Sequence, residues 1–246
     1  MRLVHLSDLH LGYRQFQRQT AAGINQREAD IATVFRGVVD RVIAIAPDVV
    51  VIAGDIFHNV RPPNPAILHA FAQFSRLTAA LPSAIVVMVA GNHDSPRAVE
   101  TGCILRLFTP LGIHVVDGEP QRLAFPDRDL SILAVPDTGV PHRVQLDPDA
   151  SASRNVLVLH GEIAGILPAG AAHAERTAIE ITPEELGAAR WTYVALGHYH
   201  VFRQVAPNAY YCGSLDYTSA NPWGEIAEEK AAKLPGKGFL EYDLTT

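Results

Sequence analysis

Five short apolar runs in this chain each stop at a cluster of Asp, His or Asn. Arg2 to Ser7 leads into Asp8-Leu9-His10, and Val49–Ala53 leads into Gly54-Asp55. Ala84 to Ala90 leads into Gly91-Asn92-His93-Asp94. Val156–Leu159 leads into His160-Gly161, and Val194–Leu196 into Gly197-His198-Tyr199-His200. Short, continuously apolar, β-branched runs are the pattern of strands covered on both faces. In open α/β sheets, sites form outside the carboxyl ends of strands. The pattern therefore predicts one polar edge, fed by separate strands.

Helical patterns lie between the early strands. Glu28 to Ala46 places Ile31, Val34, Phe35, Val38, Val42 and Ile45 on one face, and Pro47 ends it. Pro65 to Leu81 reads as a second helix with Asn64 as its cap. Arg97 to Thr109 reads as a third. Ile113–Asp117, Gln121–Phe125 and Leu130–Val135 are short strands that open a second group. Thr182-Pro183-Glu184-Glu185 is a capping box for a short helix. Phe202–Val205, Ala209–Cys212 and Phe239–Leu244 are read as completing a second group of strands. Pro136 to Arg154 and the Ala/Gly-rich Gly161 to Ile181 read as loops or insertions, the latter as a mobile one. The first half is βαβαβ and the second mostly β. The expected fold is α/β, with two stacked mixed β-sheets flanked by helices in four layers.

Composition narrows the class. With 246 residues, 48% of them hydrophobic and 19% charged, the chain can build a sizeable core and is not disordered. We read residues 1–246 as a single domain. The net charge of −6 excludes a polybasic nucleic-acid coat. Cys103 and Cys212 give no disulfide framework, which is the pattern of a reducing, cytoplasmic compartment. The start of the chain turns polar too soon for a signal peptide, and no apolar run reaches the ~18 residues of a membrane span.

The candidate ligands are Asp8, His10, Asp55, Asn92, His160, His198 and His200. Imidazole with carboxylate oxygen and no thiolate suits Mn²⁺, Fe or Zn²⁺. Seven ligands are too many for one tetrahedral ion and about right for two divalent ions. Asp55, alone on a central strand, is the natural bridge. Two ions ~3.5–4 Å apart can activate one water and clamp a phosphoryl group for in-line attack.

The ordered set D-x-H, G-D, G-N-H-D, H, G-H-x-H resembles the calcineurin-like metallophosphoesterases over essentially the whole chain. The resemblance implies one metal held by Asp8, His10, Asp55 and His200, and a second held by Asp55, Asn92, His160 and His198. It implies His93 near the leaving group, with Asp94 orienting its imidazole. A narrower resemblance, to the SbcD-type DNA repair nucleases, rests on five stretches. They are His5-Leu6-Ser7-Asp8-Leu9-His10-Leu11-Gly12, Arg27-Glu28-Ala29-Asp30, Pro47-Asp48, Gly54-Asp55-Ile56-Phe57-His58 and Gly213-Ser214. It implies a Mn²⁺-dependent exo- or endonuclease acting on DNA in repair, a homodimer, and an SMC-like ATPase partner. The chain stops soon after Phe239–Leu244, so no capping or ATPase-binding domain is expected within it.

Tyr13, Arg14, Phe16 and Arg18 interleave aromatic and basic residues beside the first motif, a composition suited to phosphate contact and base stacking. The alternative function is a phosphodiesterase acting on a small molecule such as a cyclic nucleotide. A protein Ser/Thr phosphatase fits less well, because Arg61 arrives late after Asp55. A non-catalytic scaffold would have damaged ligands, and every expected position is present. His5 reads as a buried structural residue, and His58 as either a support for the metal ligands or plain loop. His69, His114, His142 and His173 read as structural or solvent-facing. Helix residues Phe71, Phe74, Leu77, Ile104 and Leu107 read as sheet packing, or as a dimer face.

Overall fold

The computed structural model describes residues 1–96, 102–138, 145–167 and 177–245. Strands β1 (Arg2–Leu6), β2 (Val49–Ala53) and β3 (Ile85–Val89) run parallel, joined by helices α1 (Gln26–Ile45) and α2 (Asn64–Ala80). β4 (His114–Val116) continues the sheet beside β3. A second sheet contains β5 (Gln121–Phe125), β6 (Leu130–Val135) and β7 (Arg154–His160). β8 (Glu162–Ile163) and β9 (Glu180–Ile181) pair separately. The short helix α3 (Pro183–Leu186) follows, with its capping box formed by Thr182 and Glu185. β10 (Tyr193–Gly197), β11 (Arg203–Ala206) and β12 (Ala209–Tyr211) complete the second sheet. Helix α4 (Pro222–Ala231) and β13 (Leu240–Asp243) end the chain.

The first sheet has the order β13-β1-β2-β3-β4 and the second β11-β12-β10-β7-β6-β5. Alternation along each strand explains the layers. Val49, Val51 and Ala53 point into the space between the sheets, against Val156, Val158, Tyr193 and Ala195. Val50 and Ile52 point the other way, onto Phe35 of α1 and Phe74 of α2. On the far face of the second sheet, Leu157, Leu159 and Leu196 pack with Leu186 and Trp191. Each central strand is buried on both faces, which is why it reads as an unbroken apolar run.

Four expectations need correction. β13 belongs to the first sheet, antiparallel to β1, not to the second group. Leu244 donates its N–H to the Met1 carbonyl at 2.7 Å and is buried between the sheets. β4 likewise joins the first sheet, parallel to β3. Asn64 is the first helical residue of α2, and Pro63 caps it. Ile104–Leu111 forms a 3-10 helix rather than an α-helix, with Pro110 inside it. Proline lacks the N–H that an i→i−4 bond needs. The rest of that expected helix, residues 97–101, lies outside the described residues, as does the middle of the Ala/Gly-rich stretch, residues 168–176. His142 and His173 lie outside them too.

Candidate metal centre

The carboxyl ends of β1, β2, β3, β7 and β10 meet at one edge shared by both sheets. Gly197 sits opposite His160 in the β7–β10 register. Across the sheets, the His198 N–H donates to Asp8 Oδ1 at 3.0 Å. The His160 imidazole donates from Nδ1 to the Ala53 carbonyl at 2.8 Å.

The backbone turns sharply where these side chains emerge. Asp8, His10, Asp55 and His198 have φ values of 51°, 45°, 53° and 108°, four of the eight positive-φ non-glycine residues among those described. Such conformations cost about 1–3 kcal/mol each and persist only where the surroundings enforce them. Here a ladder enforces them: Asp8 N–H to Gly54 O at 3.0 Å, His10 N–H to Asp55 O at 2.9 Å, and Leu11 N–H to Ile56 O at 2.9 Å. Two glycines permit the crowding. A Cβ on Gly54, which has φ +91°, would collide with the His160 ring. A Cβ on Gly91 would collide with the Asp55 carboxylate.

The side chains fall into three overlapping groups, one of them His10, His58 and His93. Asp8, His10 and His200 are all buried, with donor atoms within 4.8 Å of one another. Asp8, Asp55 and His160 form a second such group. His10 Nε2 and His200 Nε2 lie 2.9 Å apart. Two ligands ~2.1 Å from one ion at a right angle would be about 3 Å apart. His160 Nε2 lies 3.0 Å from Asn92 Oδ1. Asp55 Oδ2 stands between the groups, 3.7 Å from His10 Nε2 and 3.5 Å from His160 Nε2. His198 packs edge-on to His160 with centroids 5.5 Å apart.

This donor set fits divalent cations. Burial first, and the neighbouring Asp55 carboxylate, push Asp8 up to about 7 despite the opposing pull of His160. Burial and Asp55 do the same to Asp94. Several carboxylates crowded in low dielectric disfavour their own ionisation, and a bound cation inverts that balance. The His160 tautomer is also set for ligation, since Nδ1–H is taken by a carbonyl and Nε2 faces the group.

His93 lies beside this centre. Its N–H donates to Asp55 Oδ1 at 3.0 Å, and its ring contacts His10 edge-on with centroids 4.9 Å apart. Its Nδ1 donates to the His58 carbonyl at 2.7 Å. Asp94, expected to orient that ring, is occupied elsewhere. Its carboxylate accepts from the N–H groups of Ile56 at 3.1 Å, Phe57 at 3.0 Å and Gly91 at 3.0 Å, tying the β2 and β3 loops together. His58, for which the sequence allows either metal-ligand support or plain loop, stacks its ring on His93 with centroids 5.1 Å apart, and its Nδ1 lies 3.3 Å from His10 Nδ1. His5 Nδ1 bonds Tyr193 Oη at 3.0 Å, and burial lowers its pKa to about 3, so it is a neutral core residue.

The loop after β1 divides. Tyr13 is buried, its hydroxyl donating to the Ser219 carbonyl at 3.0 Å, so it is not a stacking platform. Arg14 pairs with Glu28 at 2.7 Å. Phe16, 65% exposed, and Arg18 face solvent.

The model of the calcineurin-like phosphoesterase family matches residues 1–202. The chain belongs to the calcineurin-like phosphoesterase family. The Asp/His clusters coincide with what this family carries, a dinuclear metal site. Among curated proteins, the chain is similar to a DNA double-strand break repair protein Mre11 from Methanocaldococcus jannaschii, 26% identical over 253 residues. A protein of the same description from Methanococcus maripaludis is 29% identical over 262 residues. Each match takes in 100% of this chain and 63% of the relative. One from Haloferax volcanii is 35% identical over 170 residues, 65% of this chain and 34% of its own length. The chain thus spans about 63% of the length of these first two relatives.

Proposed function

We propose that this phosphoesterase is a two-metal phosphodiesterase that cuts DNA in repair or processing, with Mn²⁺ as the working ion. The observation that carries the two-metal reading is the position of Asp55 Oδ2, within 3.7 Å of imidazole nitrogens from both ligand groups. One carboxylate oxygen so placed suits a bridge. Asp8, His10, Asp55 and His200 would hold one ion, and Asp55, Asn92, His160 and His198 the other. Bound there, two divalent ions supply charge neutralisation for a phosphodiester and an activated water.

The remaining chemistry falls to the protein. Departure of a sugar oxygen needs a proton, and an imidazole near neutral pKa is the side chain best suited to give it. His93 Nδ1 is engaged by the His58 carbonyl, so Nε2 is the nitrogen that delivers the proton. Asp94 positions His93 indirectly, by fixing the loop that carries it against the β2 loop. DNA as substrate is supported by the likeness, over 100% of this chain and 63% of each relative, to proteins described as DNA double-strand break repair proteins. Phe16 and Arg18 offer an exposed aromatic and a cation for a nucleic-acid strand. Exposed Leu68, Phe71 and Leu107 on α2 and the 3-10 helix support pairing with a second copy of the chain. Phe74 and Leu77 are buried in the core and do not contribute to such a face. No described helix is long and apolar enough to cross a membrane.

The test is turnover of an aryl phosphodiester with Mn²⁺, with DNA added as competitor. A nuclease cuts the DNA and loses aryl turnover as DNA is added. Aryl turnover indifferent to DNA, with no cleavage of single or double strands, would assign the site to a small phosphodiester instead.

A further inference from the structure

His200 is held from behind by a part of the chain that the family match, ending at residue 202, does not include. Its Nε2 faces His10, while its Nδ1 faces a buried carboxylate, Glu225 of α4, at 3.6 Å. The Thr218 hydroxyl lies 3.5 Å from the same nitrogen. Glu225 is fully buried, and its other oxygen pairs with Lys237, itself almost buried. The Lys237 ammonium also donates to the His200 carbonyl at 2.8 Å and pairs with Glu229 at 3.2 Å. The Ser219 N–H donates to Glu225 Oε1 at 3.2 Å.

A buried carboxylate is costly unless it is paired and hydrogen-bonded. This one is both, and it still presents an oxygen to an imidazole. Two carboxylates against one ammonium leave an excess negative charge beside the His200 ring. A negative charge on that side favours the ring proton on Nδ1, which leaves Nε2 to ligate. Carboxylate–histidine–metal arrangements of this kind fix the tautomer and raise metal affinity. Lys237 grips the same residue by its backbone, so ring and main chain are held by one ion pair.

We propose that Glu225, anchored by Lys237, is a positioning residue that sets the tautomer and affinity of His200 for one of the two metal ions. The proposal rests on the two-metal reading above, and its test separates the two. Mn²⁺ binding is measured by calorimetry on the purified chain and on Glu225→Gln, with the fold of each checked by circular dichroism. The wild-type chain takes two ions. Glu225→Gln binds one of them about 10–100-fold more weakly and the other unchanged. Two ions bound by Glu225→Gln with wild-type affinities would overturn the brace alone, as would equal weakening of both. A wild-type chain that takes no pair of ions would overturn the two-metal reading, and the brace with it. Should Glu225→Gln not fold, the ¹⁵N–¹H spectrum of the wild-type chain without metal decides. A His200 ring proton held on Nδ1 supports the brace, and a proton on Nε2 overturns it.

Discussion

Replacing His93 with Ala isolates proton transfer from metal binding. The substitution keeps the backbone N–H that donates to Asp55 Oδ1, so the bridging carboxylate stays in place. It removes the 2.7 Å imidazole hydrogen bond to the His58 carbonyl together with the ring contacts to His10 and His58. That bond is worth about 0.5–1.5 kcal/mol, and about 1 kcal/mol moves Tm by roughly 2–4 °C in a chain of this size. The chemical loss is larger. A general acid contributes about 10²–10⁴-fold, equivalent to roughly 2.7–5.5 kcal/mol of barrier. The loss also depends on what leaves. A sugar alkoxide is strongly basic and needs the proton, whereas a p-nitrophenolate departs readily without it. His93→Ala should therefore bind Mn²⁺ normally, melt within a few degrees of wild type, and lose about 10²–10⁴-fold on DNA but far less on bis-p-nitrophenyl phosphate. Both substrates are assayed at saturating Mn²⁺ with stoichiometry checked by elemental analysis. Equal losses on the two substrates would refute proton donation by His93, and undiminished DNA cleavage would remove it from the chemistry.

Other consequences follow from the same geometry. In the metal-free chain, Asp8 and Asp94 ionise at about 7 rather than 3.8, chiefly because they are buried. Between those values the folded state holds protons that the unfolded state has released, so these groups make stability fall as pH rises from about 4 to 7. Thermal melts of chelated protein should give a lower Tm at pH 7.5 than at pH 5, and saturating Mn²⁺ should remove the difference; a rising Tm would contradict the buried-charge account. Phe16→Ala should weaken single-stranded DNA binding by about 1–3 kcal/mol in a fluorescence titration, with Mn²⁺ affinity intact. Phe74, fully buried between α1, α2 and the first sheet, should cost about 3–5 kcal/mol when changed to Ala, as read by denaturant unfolding.

The ligand-bearing edge was legible because it is local. Each strand ends in its own polar cluster, and strand polarity alone brings the ends of β1, β2 and β3 together. The glycines of these motifs carry a further signal, since Gly54 and Gly91 sit where a side chain would strike His160 and Asp55. Sheet membership was not legible. Nothing in Phe239–Leu244 distinguishes an edge strand beside β1 from one beside β12, and the choice is settled by contacts with Met1 and Arg2 some 240 residues away. The partners of Tyr13 and Asp94 are not legible for a related reason. An aromatic beside basic residues and a carboxylate beside a histidine have obvious local partners. The actual ones, the Ser219 carbonyl and the Ile56 and Phe57 N–H groups, come from other loops. Helix α4 did carry a local signal, Asn221 followed by Pro222, and Asn221 caps it by accepting from the Gly224 N–H.

The account turns on Asp55 joining two cation sites. Anomalous diffraction from Mn²⁺-soaked crystals tests this directly. Two peaks should flank the Asp55 carboxylate, one also within ligand distance of Asp8, His10 and His200, the other of Asn92, His160 and His198. A single peak, or two peaks of which neither touches Asp55, would contradict it.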